Sequence, residues 1–338
     1  MRGLRTQVKR RGQPELPPPP LVAPSTVRRL RLDVGRRVDG ILLGDNLGYL
    51  PGAGSEPDQA RPYTVGDDVR HMDWAVTART TEPHVRTTVA ERELETTLVL
   101  DLSPSMSFGS SVAEKRDVAL ALCAAVLHLA NGPGDRVGAL VVHDGRVNRL
   151  PYRTGSQGSL ALLATLLRAP RSEPVAAGAP SQASTGSAQD PGATLGTALR
   201  HAYARPRQRG LVVVVSDLLD SVDTWERPLR VLTQHHDVMV LQVLDRRERE
   251  LPEGGVLRLL DPETGDVVDV RATRATRERY AAASAERTAT ARRAVIGAGA
   301  AHGVIQTEED WLPQLARFLD TRRRTRGALP GGGRRHLQ

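Results

Sequence analysis

Four stretches of this chain are apolar with no polar interruption: Leu98–Leu100, Val137–Val142, Leu211–Val215 and Val238–Leu241. Each is strand-sized. A strand with one face in water alternates apolar and polar residues, whereas a strand covered on both faces is apolar throughout. The segments between them have helical character. Ala113–Asn131 places Val118, Leu122, Val126 and Leu129 at a period of roughly 3.6 residues, the spacing of one helix face. This alternation predicts an α/β fold, with a mainly parallel central sheet covered by helices on both faces.

Further elements follow from the same reading. Arg136–His143 and Arg146–Leu150 form a predicted hairpin around the turn Asp144-Gly145. Helices are predicted at Gln157–Arg168, Thr194–Tyr203, Val222–His235, Arg277–Val295 and Asp310–Arg322. Strands are predicted at Gly210–Ser216, Asp237–Leu244 and His302–Thr307. Residues 246–272, with the turn sequence Asp261–Gly265, read as a peripheral hairpin.

Composition divides the chain. Residues 1–26 contain four consecutive prolines and read as a disordered Pro/Arg-rich tail in extended conformation. Residues 27–95, with short extended pieces and a Gly66-Asp67 turn, read as a small β-rich module. Residues 96–325 form the α/β domain, interrupted by a flexible Ala/Ser/Gly/Pro-rich insertion at 170–192, and residues 326–338 read as a disordered basic tail.

Charge follows the same division. The whole chain carries +8, but residues 1–37 carry +8 and residues 322–338 carry +6, so the body between them is −6. The basic balance therefore lies in the two ends and does not indicate specific nucleic-acid recognition. Cys123 is the single cysteine, which excludes an internal disulfide and suits a small core residue. No apolar run approaches the ~18 residues that span a bilayer, and the basic N-terminus leads into proline instead of an apolar signal core. The expectation is a cytoplasmic protein without a transmembrane segment.

Two predicted strands end in polar residues. The first runs through Leu98–Leu100 into Asp101, Ser103 and Ser105; the second ends at Ser216 and Asp217. In open parallel sheets, ligands bind at the carboxyl ends of strands where the strand order reverses. Asp and Ser before a helix also cap free backbone N–H groups, so capping and ligand binding both account for Asp101, Ser103 and Ser105 taken alone. Together with Asp217, and with Thr194 at the start of a helix, they make an all-oxygen set of the kind hard divalent cations require. Mg²⁺ (or Mn²⁺) is the expected ion, with one shell position left for an acidic group from a partner.

The strand, the D-x-S-x-S loop, the later Thr and the later Asp resemble the metal-ion-dependent adhesion site of von Willebrand factor A domains. "RPYTVGDDVRHMDWAVTAR" (Arg61–Arg79), "PHVRTTVAERE" (Pro83–Glu93), "LVLDLSPSMSFG" (Leu98–Gly109), "GDRVGAL" (Gly134–Leu140), "SDLLD" (Ser216–Asp220), "RPLRVLTQHHDV" (Arg227–Val238) and "DPETG" (Asp261–Gly265) resemble the bacterial domain of unknown function 58 family over residues 40–325. The resemblance implies a von Willebrand A-like domain with the small module attached. It also implies a non-enzymatic, metal-dependent protein-binding or assembly role beside a MoxR-type AAA ATPase, with Asp101, Ser103, Ser105, Thr194 and Asp217 as metal ligands.

Rival readings are weaker. A haloacid-dehalogenase-type phosphatase needs a second Asp two residues after the first, where this chain has Ser103. Gly297–Gly303 follows a helix and lacks the last glycine of a dinucleotide loop. A metal-dependent hydrolase, and an adaptor binding anionic surfaces through the Arg-rich ends, remain as alternatives. His235 and His236 read as helix C-terminal residues, and Asp220 as a cap for the helix from Val222. The group Asp67, Asp68, Arg70, Asp73, Trp74 and Arg79 reads as an ion-pair network joining module to sheet, with Glu91, Arg92 and Glu93 as further candidates, or alternatively as a partner-binding face.

Overall fold

The computed structural model describes residues 33–38, 60–64, 69, 72–86, 94–110, 113–130, 132, 134–171, 194–204 and 209–327. Its centre is a six-stranded sheet of β3 (Glu95–Asp101), β4 (Arg136–His143), β5 (Arg146–Thr154), β6 (Leu211–Ser216), β7 (Asp237–Leu244) and β10 (Ala301–Gln306), in the order β10-β7-β6-β3-β4-β5. All neighbouring pairs are parallel except β4 with β5. The fold is α/β with a mainly parallel central sheet, as the sequence predicts.

The apolar strands explain the layering. Successive side chains of a strand point to opposite faces. Leu98, Leu100, Val213 and Val215 lie in one core cluster, with Val118 and Leu122 of α3 (Lys115–Leu129), Leu162 of α4 (Gly155–Arg168) and Leu315 of α9 (Trp311–Gly327). Val99, Val212 and Val214 lie in the other, with Leu195 of α5 (Leu195–Tyr203), Trp225 of α6 (Val222–His235) and Val295 of α8 (Arg274–Gly297). Cys123 is fully buried, and burial pushes its thiol up to about 12.

Several boundaries differ from the sequence reading. β5 continues through Pro151 to Thr154 instead of stopping at Leu150. It is an edge strand, where a proline removes no ladder bond that the sheet needs. The β4–β5 turn uses left-handed φ of 47° at Asp144 and 67° at Gly145, as two-residue hairpin turns require. Thr194 is the N-cap of α5 rather than its first turn.

The region read as a β-rich module is described only in part. β1 (Ala60–Pro62) pairs antiparallel with β2 (His84–Arg86), and α2 (Trp74–Thr80) lies between them in sequence, so a helix is its longest described element. The reason is Asp73, whose carboxylate accepts from the N–H groups of Ala75 and Val76 at 3.0 Å and caps that helix. Trp74 is 70% exposed, and Arg79 bonds the Ala75 carbonyl of its own helix. The first helix, α1 (33–38), sends Val34 and Val38 into the main core cluster, which ties this part of the expected module to the sheet domain. Asp67, Asp68, Arg70, Glu91, Arg92 and Glu93, the 1–26 tail, most of the 170–192 insertion and residues 328–338 lie outside the described residues. Among the described residues, no helix is long and apolar enough to cross a membrane.

Candidate functional site

The chain proceeds from β3 to β4 on one side, while β6 joins β3 on the other. The strand order therefore reverses between β3 and β6, and the crevice lies at their carboxyl ends. Asp101 closes β3, and Ser216 and Asp217 close β6.

The five polar residues read from the sequence at the two strand ends, Asp101, Ser103, Ser105, Ser216 and Asp217, meet there. The Ser103 N–H donates to Asp101 Oδ1 at 2.9 Å, so Asp101 turns its own loop back on itself. Ser103 Oγ and Ser105 Oγ lie 2.8 Å apart, and Ser105 Oγ donates to Asp217 Oδ2 at 2.7 Å. Ser216 Oγ donates to Asp101 Oδ2 at 2.7 Å, joining the two strand ends. Ser103 begins the short 3₁₀ turn Pro104–Ser107, but its side chain makes no cap hydrogen bond, so capping does not explain its presence.

Past Asp217 the backbone reverses through Leu218, a non-glycine residue with a left-handed φ of 55°. Ser216 Oγ accepts the Leu218 N–H at 3.0 Å and Asp217 Oδ1 accepts the Leu219 N–H at 3.2 Å, which holds the turn. From β7, Gln242 Nε2 donates to the Asp217 carbonyl at 3.1 Å.

Thr194 stands apart. It is half-buried and its side chain caps no helix N–H; among the described residues no hydrogen bond links it to Asp101, Ser103, Ser105 or Asp217. Its helix is tied to the site by Asp220, whose Oδ2 accepts the Leu195 N–H at 3.1 Å. This corrects the expectation for Asp220, since the cap position of α6 belongs to Ser221. His235 and His236 do lie at the C-terminal end of α6, as expected, with His236 Nδ1 accepting the Gly210 N–H at 3.3 Å.

Three residues at the site are not signalled by the motif. Lys115, at the start of α3, is fully buried, and its Nζ lies 2.6 Å from Asp217 Oδ2 and 2.5 Å from Glu248 Oε1. Glu248 belongs to the short helix α7 (Arg246–Arg249), where its other oxygen accepts the Asp245 N–H at 3.3 Å. Glu263, at the tip of the β8 (Val256–Leu260) and β9 (Val267–Arg271) hairpin, accepts the Ser105 N–H at 3.2 Å. That hairpin is thus not peripheral to the site. The one available signal was Lys115 itself, since the chain has only two lysines among its 47 basic residues.

The electrostatics are those of crowded buried acid. Burial, reinforced by the charges of Asp217 and Asp220, pushes the Asp101 carboxyl up to about 7, against the Ser103 and Ser216 hydrogen bonds that favour its ionised form. Lys115 Nζ bridges Asp217 and Glu248, while Asp101 joins the cluster through Ser216. The donor chemistry fits a divalent cation: hydroxyls and carboxylates, without sulfur or imidazole. Among the described residues, no three His, Cys, Asp or Glu side chains gather as a metal centre by themselves. Any ion here would rely on the serine and threonine hydroxyls.

The family described as "Protein of unknown function DUF58" matches residues 59–290. "Uncharacterized protein Rv1480" of Mycobacterium tuberculosis is 44% identical over 308 residues, covering 91% of each chain. Among solved structures, BatB from Bacteroides thetaiotaomicron is similar at 15% identity and a TM-score of 0.39, over 69% of this chain and 99% of that one. A von Willebrand factor type A protein from Catenulispora acidiphila is similar at 11% identity and a TM-score of 0.35, over 70% of this chain and 42% of that one.

Proposed function

The chain belongs to the DUF58 family, and we propose that it is a cytoplasmic, non-enzymatic protein-binding factor whose binding depends on a divalent cation at the β3/β6 crevice. In this reading Ser103, Ser105 and Thr194 offer hydroxyl oxygens to Mg²⁺ (or Mn²⁺). Asp101 and Asp217 hold the ion directly or through water. A bound ion would supply an electrophilic centre that attracts a carboxylate from a partner protein. The family resemblance suggests a MoxR-type AAA ATPase as that partner.

One observation carries the reading: the continuous hydrogen-bonded chain from Asp101 through Ser103 and Ser105 to Asp217, closed by Ser216. Ser105 uses its proton on Asp217 and accepts that of Ser103, which leaves one of its oxygen lone pairs for a cation.

The test is a pull-down with the candidate AAA ATPase in Mg²⁺ or in chelator, using wild type and Asp101→Ala. Binding lost on chelation and in the variant, with the variant's circular dichroism unchanged, supports the reading. Binding indifferent to both contradicts it.

A further inference from the structure

We propose that Glu263 is the site's own acidic ligand, filling in cis the shell position that the proposed function gives to a partner's carboxylate. The inference rests on that reading and extends it.

The hairpin tip is built to aim this side chain. The Glu263 N–H donates to Asp261 Oδ1 at 2.9 Å, the Gly265 N–H donates to the Asp261 carbonyl at 2.8 Å, and the Asp261 N–H donates to the Asp266 carbonyl at 2.8 Å. Gly265 takes a left-handed φ of 76°, which lets the five-residue turn close. Pro262 is buried, and Leu259 within β8 is 1% exposed, so the hairpin is anchored to the domain on one side. From this turn the Glu263 carboxylate reaches the backbone N–H of Ser105, the residue whose hydroxyl touches both Ser103 and Asp217.

The placement has a chemical consequence. Asp101, Asp217 and Glu248 already outnumber the ammonium of Lys115, yet the fold brings a further carboxylate, 158 residues away in sequence, to the serine loop. A carboxylate that accepts the Ser105 N–H stands beside the loop whose hydroxyls would hold the cation, within reach of that ion. Once on the ion, it would occupy the place an incoming acidic residue needs. The partner's carboxylate therefore binds by displacing Glu263, and the hairpin sets how acidic and how well placed that residue must be.

The experiment uses full-length protein with Mn²⁺ as probe. Affinity is measured by calorimetry and the number of inner-sphere waters by water-proton relaxation dispersion. The expected result is that Glu263→Ala binds Mn²⁺ several-fold more weakly and gains one inner-sphere water, while Asp266→Ala, on the same tip, matches wild type. An unchanged water count in Glu263→Ala overturns the inference whatever the affinity. Mn²⁺ binding by wild type that Asp101→Ala abolishes leaves the parent reading intact in that case; no Mn²⁺ binding by wild type overturns both.

Discussion

At the scale of single residues, Lys115 decides how the site is held. Removing one partner from a buried ion pair leaves the other charge uncompensated, at a cost of about 3–5 kcal/mol. Lys115→Met is therefore expected to lower the free energy of urea unfolding by that order, and Mg²⁺ should restore more stability to this variant than it adds to wild type. A midpoint equal to that of wild type would show that Asp217 and Glu248 are held by other means. His302 of β10 gives a separate, pH-dependent term. Burial, with the charge of Arg292 beside it, pushes its imidazole down to about 4, and its ring hydrogen-bonds Gln242 at 3.1 Å. The unfolded chain takes up a proton near the ordinary value of 6.5 and the folded chain does not. This contribution is therefore complete at neutral pH and is lost as pH falls from about 6.5 to 4. His302→Asn should flatten the pH dependence of the unfolding midpoint across that window; an unchanged slope would contradict it. Asp101, Ser103, Ser105 and Asp217 were legible in the sequence because each follows an apolar strand. Lys115 and Glu248 were not, because one opens an amphipathic helix and the other sits in the charged run Arg246–Glu250; only the meeting of α3, α7 and the β6 end buries them.

At the scale of elements, the helix that carries Thr194 is positioned by a glycine. A Cβ on Gly196 would lie 2.0 Å from the Thr224 carbonyl oxygen, so α5 and α6 cross at backbone contact. Gly196→Ala should destabilise the domain by about 1–3 kcal/mol and, if Thr194 belongs to the shell, weaken cation binding by shifting the helix start that carries it. If Mn²⁺ affinity survives while stability falls, Thr194 is not part of the shell. The sheet elements were well marked by their apolar runs, because parallel strands buried on both faces have no other composition to adopt. The N-terminal region was poorly marked. Alternation of Thr and Val near His84 suggested strand, while the strongest local device was a helix cap at Asp73. The β8–β9 hairpin was found, but nothing in Asp261–Gly265 states which surface its tip will reach.

At the scale of the molecule, two apolar layers clamp a sheet, and Asp101, Asp217 and Glu248 gather at the carboxyl ends of its strands. The net positive charge resides in the chain ends, so the two rival readings separate by deletion. Removing residues 1–26 and 328–338 is expected to leave Mn²⁺ affinity unchanged; loss of partner binding in this truncated chain, with Mn²⁺ still bound, would favour the anionic-surface adaptor. The most direct test of the central claim is an anomalous-difference map from crystals grown with Mn²⁺. The account predicts one peak coordinated by Ser103 Oγ, Ser105 Oγ and Thr194 Oγ1, with Asp101 and Asp217 beside it. A map with no peak between those hydroxyls, in crystals that hold Mn²⁺ elsewhere, would contradict it.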